Sequence, residues 1–156
     1  MPQPLSPTLR HRLQLAHSAE RAAAFAYQGH AGSVRDAEVI DALRQIEADE
    51  WHHRDCARRL MRTHSVSPNR YFEAKYWLIG KFISASCYLI GWFLPMYFAG
   101  RLESGNVNEY FELKRLFHLE GITEYDELMD EMARVERDHE DFFLGQIRDH
   151  WMLPMF

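Results

Sequence analysis

Two short runs carry residue types that can hold metal ions: Glu50-Trp51-His52-His53 and Glu136-Arg137-Asp138-His139. Each reads Glu-x-x-His. Each follows a helix-like stretch with one glutamate, Glu20 for the first run and Glu103 for the second. The separations are similar, 30 residues from Glu20 to Glu50 and 33 from Glu103 to Glu136. On an α-helix, residues i and i+3 lie roughly 60° apart around the axis and about 4.5 Å apart along it. The Glu and His of one run therefore reach the same point from one face. Carboxylates can bridge two cations and neutralise them, and imidazole suits redox-active iron. One Glu from each of two helices, with Glu-x-x-His from each of two others, is the donor set that holds two iron or two manganese ions inside helical bundles. A single Glu-x-x-His would be a weak signal, because helices are rich in Glu. Two of them, each with an upstream Glu at near-equal spacing, favour a metal centre over solvated acidic helix faces.

The rest of the chain must bring these six residues together. The sequence has 156 residues and 47% hydrophobic content, enough for one domain, 1–156, with a real core. A net charge of −5 argues against nucleic acid as a partner. Three Lys stand against 15 Arg, which reads as genome composition. Cys56 and Cys87 are far apart and form no Cys-x-x-Cys; buried free thiols in a reducing cytosol are the expectation. Met1 to Arg12 lacks a charged segment followed by an apolar one, so no secretory signal is expected.

Residues 1–6 read as a loose arm, with Ser6-Pro7 as cap and first turn of a helix running to about His30. Leu13, Ala16, Glu20, Ala23, Ala24 and Tyr27 share one side of it. A carboxylate on such a small-residue stripe is costly without a partner, which a metal would supply. Gly29 to Ser33 reads as a turn and Val34 to His64 as a second helix. Its stripe is Val39, Leu43, Ile46, Glu50, His53, Ala57 and Leu60, with His52 off it. Arg54, Arg58, Arg59 and Arg62 suit a helix C-terminus.

After a break at residues 65–69, an apolar helix is expected from about Asn69 to Ile90. A tight turn near Gly91 and a helix from Phe93 to Leu119 follow. Phe82 to Gly100 is 19 residues without a charge, long enough to span a membrane. Gly91, Pro95 and Gly100, and the immediate arrival of Glu103, argue against a span. Exposed aromatics (Trp77, Tyr88, Trp92, Phe93, Tyr97, Phe98) would instead form a patch lying in a membrane surface, the alternative being that they pack against each other in the core. Thr123-Glu124-Tyr125-Asp126 resembles a capping box for the last helix, which runs to about Trp151. Its inward stripe is Leu128, Met132, Val135, Glu136, His139, Phe142 and Phe143.

With these residues in hand, the chain resembles the demethoxyubiquinone hydroxylase family of ferritin-like di-iron proteins over roughly residues 10–150. His17-Ser18-Ala19-Glu20 followed by Tyr27-Gln28-Gly29-His30 is similar to the family's His-x-x-Glu…Tyr-x-Gly segment. The two Glu-x-x-His runs match its paired-ligand motifs. Gly91, Met96, Glu103 and Tyr110 resemble its third-helix segment. The resemblance implies an all-α, ferritin-like four-helix bundle, with an extra apolar helix between the second and third bundle helices. It implies a di-iron centre, with manganese as the alternative metal, held by Glu20, Glu50, His53, Glu103, Glu136 and His139. It implies O2-dependent hydroxylation of a membrane-dissolved quinone precursor, with electrons from reduced nicotinamide or the quinone itself. It also implies peripheral attachment to a membrane, which in the cytoplasm would be the inner face of the cell membrane; a homodimer is compatible with it. Two departures stand out. Ser104 replaces a second glutamate, and Glu109 replaces a histidine linked to proton and electron handling. They keep open another di-iron oxidase or oxygenase acting on a different small molecule. An iron-handling or peroxide-scavenging protein is a third reading, and the apolar 82–100 segment argues against it.

Tyr27 and Tyr110 each lie seven residues after a ligand glutamate, two turns along the same face. They are candidates to line a substrate channel or relay a proton or electron; structural phenols bonded to a ligand carboxylate are the equal alternative. His17 reads as a core or surface histidine. Asp49 and Asp138 could accept the free N–H of a ligand histidine, most reasonably one across the bundle.

Overall fold

In a computed structural model, which describes residues 4–155, the chain is all-helical among those residues. Five α-helices follow in order: α1 Pro7–Ser33, α2 Ala37–Thr63, α3 Arg70–Ser86, α4 Phe93–Leu119 and α5 Asp126–Ile147, then a 3-10 turn at Leu153–Met155. α1 pairs with α2 and α4 with α5, each through a short connection, so that two helical hairpins face one another, while α3 lies along α1. Two apolar clusters fill the space on either side of the glutamates. One gathers Leu9, Leu13, Leu60, Leu113, Phe117 and Met129. The other gathers Tyr27, Leu43, Met96, Phe143 and Ile147.

The helical stripes read from sequence hold in α2, where all seven residues from Val39 to Leu60 are buried. In α1 only Ala23 of the six is half-buried. In α5 Leu128, Val135 and Phe142 are half-buried, and Met129 and Ala133 take core places beside Met132. Ser6 caps α1 by accepting a hydrogen bond from the Leu9 amide. Cys56 and Cys87 are buried free thiols.

Several boundaries differ from the sequence reading. Residues 1–3 lie outside the described residues, but Pro4–Ser6 is no loose arm. Leu5 is buried, and the Ser6 amide donates to both oxygens of the Glu120 carboxylate at 3.1 and 3.2 Å. α1 continues through the expected turn at Gly29–Ser33, because Gly29 lets α3 pass at Ser84. α2 starts at Ala37 rather than Val34, since Asp36 accepts from the amides of Glu38 and Val39. α3 stops at Ser86, before Ile90, and the turn to α4 uses Gly91 at φ +78°, a region only glycine enters freely. The capping box does not form. Tyr125 precedes α5 without a side-chain cap, and the Asp126 carboxylate pairs instead with His118 at 2.6 Å. α5 ends at Ile147, short of Trp151.

Among the described residues no helix is long and apolar enough to cross a membrane. Trp77, Tyr88, Trp92 and Phe98 are exposed, as are Leu78, Phe82 and Leu89. Phe93 is not: it is buried, stacked on His150 with centroids 4.5 Å apart, and Tyr97 is half-buried.

Candidate metal centre

Four helices deliver the six sequence-predicted donors to one buried point. Glu20 comes from α1, Glu50 and His53 from α2, Glu103 from α4, Glu136 and His139 from α5. None exceeds 5% exposure, which excludes the solvated-face alternative. Their donor atoms form two overlapping groups, Glu20–Glu50–His53–Glu136 and Glu50–Glu103–Glu136–His139, within which all chosen atoms lie within 4.8 Å of one another. Either group could hold a metal ion. Glu50 and Glu136 belong to both. The Glu-x-x-His spacing works as the helix geometry demands: Glu136 and His139 Nδ1 lie 3.9 Å apart, one turn apart on α5.

Several of the donor atoms lack a hydrogen-bond partner. Both oxygens of Glu50, Oε1 of Glu136 and Nδ1 of both His53 and His139 are buried without a hydrogen bond. His53 Nδ1 and Glu136 Oε1 lie 2.8 Å apart, and His139 Nδ1 and Glu50 Oε1 3.4 Å apart. Buried polar atoms are normally satisfied, and a cation at the centre would satisfy all of these at once. Burial, reinforced by neighbouring carboxylates, raises the pKa of Glu50 and Glu103 well above the ordinary carboxylate range, and burial raises that of Glu136 to about 7. A set of four carboxylates packed this way is unfavourable as four anions and becomes favourable around positive charge.

A second layer fixes the donors. Asp49 Oδ2 lies 3.1 Å from Nε2 of His139, across the helix pair, so Nε2–H can donate to it while Nδ1 faces the carboxylates. Asp138 instead pairs with Arg134 in solvent, at 3.3 Å. Asn106 Nδ2 donates to Glu103 at 3.0 Å and to Glu136 at 3.3 Å. The two tyrosines cross over: Tyr27 donates to Glu103, and Tyr110 donates to Glu20. Each phenol therefore holds the glutamate of the opposite hairpin. Burial, and then the adjacent carboxylates, raise the pKa of both phenols, which keeps them as O–H donors.

Tyr27, Tyr110, Glu20 and Asn106 also face a cavity of about 680 Å³ between α1, α3 and α4. Ala19, Ala22, Ala23 and Ala26 form its floor on α1, where small side chains leave the space open. Ile79 and Ile83 form the α3 wall, and exposed Phe82, Ile90, Phe98 and Leu102 rim the mouth.

One polar network beside the centre escaped the sequence reading. Glu73 on α3 sits among α1 and α2 residues. It accepts from Ser18 at 2.6 Å and from Arg54 at 2.7 and 3.2 Å, and lies 3.1 Å from both Arg21 and His17 Nδ1. Arg54 also donates to the His17 carbonyl. His17 is thus a core histidine, held neutral: burial, then the charge of Arg54, lowers it to about 4. The signal available was a lone glutamate near the start of an otherwise apolar helix. No family model, curated protein or solved structure matches the chain.

Proposed function

We propose that the chain is a ferritin-like, carboxylate-bridged di-iron monooxygenase that hydroxylates an apolar, quinone-type molecule with O2, in the manner the resemblance to demethoxyubiquinone hydroxylases implies. The observation that supports it best is the two-part buried donor set, Glu20, Glu50, His53, Glu103, Glu136 and His139, opening onto an apolar cavity large enough for a substituted ring. Manganese would fit the same donors.

In this reading Glu50 and Glu136, common to both groups, would serve both ions, while Glu20 with His53 and Glu103 with His139 would each help to hold one of them. A reduced iron pair, when bound, supplies the O2 activation that no side chain can. Asp49 holds His139 in the tautomer that leaves Nδ1 free to coordinate. Tyr27 and Tyr110 hold Glu103 and Glu20 against rotation, at positions where they also meet a substrate in the cavity. The alanine and isoleucine walls exclude water around it. One oxygen atom enters the substrate and the other leaves as water, so each turnover takes an electron pair from reduced nicotinamide or a quinol. Such a substrate is dissolved in a bilayer. The exposed Leu78, Phe82, Tyr88, Leu89 and Phe98 on and after α3 would rest in the membrane surface, with the cavity mouth beside them. An apolar mouth is a poor route for aqueous iron or peroxide. Ser104 and Glu109, where the resemblance implies glutamate and histidine, keep open the second reading, a di-iron oxidase or oxygenase acting on another small molecule.

Metal content by mass spectrometry, after growth with both iron and manganese, tests the reading. Wild type should hold about two irons per chain. Glu50→Ala and Glu136→Ala should lose both ions, and Glu20→Ala and Glu103→Ala one each. Product formed under labelled O2 should carry the label. Folded protein without metal overturns the proposal.

A further inference from the structure

Two residues lining the cavity carry a buried side-chain atom without a hydrogen-bond partner: His30 at Nε2 and Glu109 at Oε1. Neither belongs to the donor set. His30 is 1% exposed and lies parallel to Phe143, 8° between planes, so its ring is fixed by packing. Glu109 is half-buried on α4, one residue before Tyr110.

The crossed tyrosine pairs give the register. Glu20 meets Tyr110 and Tyr27 meets Glu103, so α1 and α4 run antiparallel. Glu109 is then level with about residue 21 of α1, and His30 lies nine residues further along. At 1.5 Å per residue that is about 14 Å along the axis. The register therefore places the two residues towards opposite ends of the stretch of α1 and α4 that lines the cavity. Between them the wall carries Ala22, Ala23, Ala26, Ile83 and Ala99, and the polar groups of Tyr27 and Asn106 there are already bonded to Glu103 and Glu136. Unpartnered polar atoms on two residues, with mostly apolar wall between, describe a complementary ligand.

We infer that His30 and Glu109 are specificity-determining residues that orient one ligand, an apolar ring compound carrying two separated oxygen groups of hydroquinone type. A ligand O–H donates to the Glu109 carboxylate, and the second oxygen pairs with Nε2 of His30. An apolar tail leaves through the mouth between Phe82, Phe98 and Leu102. This rests on the quinone-type reading above and adds which residues recognise the head group.

The test is anaerobic binding to the full-length, metal-loaded protein, followed by tryptophan fluorescence, with decylhydroquinone and its oxygen-free counterpart decylbenzene as probes. Wild type should bind decylhydroquinone at least about tenfold tighter, the effect of one or two hydrogen bonds made in a buried site. Glu109→Leu and His30→Leu should each weaken decylhydroquinone about tenfold and leave decylbenzene unchanged, which also reports an intact cavity. Glu109→Gln serves as the shape-preserving variant should His30→Leu fail to fold; it should weaken decylhydroquinone alone. Equal affinity for both probes, equal weakening of both, or binding of neither overturns the inference. Because no turnover is needed, selective binding without oxygen incorporation would fail only the hydroxylase reading. Hydroxylation with equal probe affinities would fail only this one.

Discussion

Glu73→Gln is the perturbation whose size the structure sets most directly. The glutamate is 21% exposed and ties α3 to α1 and α2 through Ser18, Arg21 and Arg54. Burial alone would raise its pKa. The hydrogen bonds from Arg54 and Ser18, and the charges of Arg54 and Arg21, outweigh burial and lower it to about 2 from an ordinary 4.5. At 1.36 kcal/mol per unit, the carboxylate form contributes about 3 kcal/mol. A depressed pKa means that this contribution is fully present above pH 4.5 and is lost as pH falls towards 2. Glutamine keeps the shape but removes the charge that two arginines face. Urea unfolding at pH 7 should therefore show Glu73→Gln about 3 kcal/mol less stable, with an unchanged denaturant slope. The melting temperature should fall by roughly 10 °C for a chain of this size. Repeating the comparison between pH 4.5 and pH 2.5 should show the gap closing. A difference under about 1 kcal/mol at pH 7 would refute the network's role. A gap that persists undiminished at pH 2.5 would refute its electrostatic origin.

Two further outcomes follow from packing and exposure. A Cβ on Gly80 would lie 2.7 Å from Cα of Ala22, so Gly80→Ala should push α3 from α1 and cost about 1–3 kcal/mol in thermal unfolding monitored by circular dichroism; an unchanged melting temperature would mean that α3 does not pack as described. Leu78 and Leu89 are 64% and 86% exposed beside the cavity mouth. Replacing both with Ser should reduce co-sedimentation with phosphatidylcholine–phosphatidylglycerol vesicles at least about tenfold, from 1.5–3 kcal/mol per buried side chain, without changing stability. Equal binding would leave the membrane-surface reading without support.

What sequence could show was local. Periodicity put Glu50 and His53 on the buried stripe of α2 and left His52 exposed, because a 3.6-residue repeat fixes the face without knowledge of neighbours. Four like donors on such faces, in two matched pairs, announced their convergence. Tertiary facts stayed hidden. Gly29 and Gly32 looked like turn signals, yet they continue α1 and give room to Ser84 and Tyr88 of the α3 region. Arg54 looked like a charge for a helix end, and its partner Glu73 is 19 residues away, across a break. The seven-residue spacing put Tyr27 on Glu20's face, but only the antiparallel docking of α1 and α4 shows that it bonds Glu103.

The crossing of those two tyrosines makes the centre a test of assembly. Each group of donors takes three from one hairpin and one from the other, Glu136 completing the first and Glu50 the second. Each phenol likewise finds its acceptor only across the divide. A single hairpin thus carries three donors and one stranded tyrosine, a binding site in neither number nor geometry. A register slip of one turn between hairpins would strand both phenols and separate the shared carboxylates together. A metal ion held by either donor group would therefore report that the two halves have met in the right frame, since neither hairpin alone offers the full set.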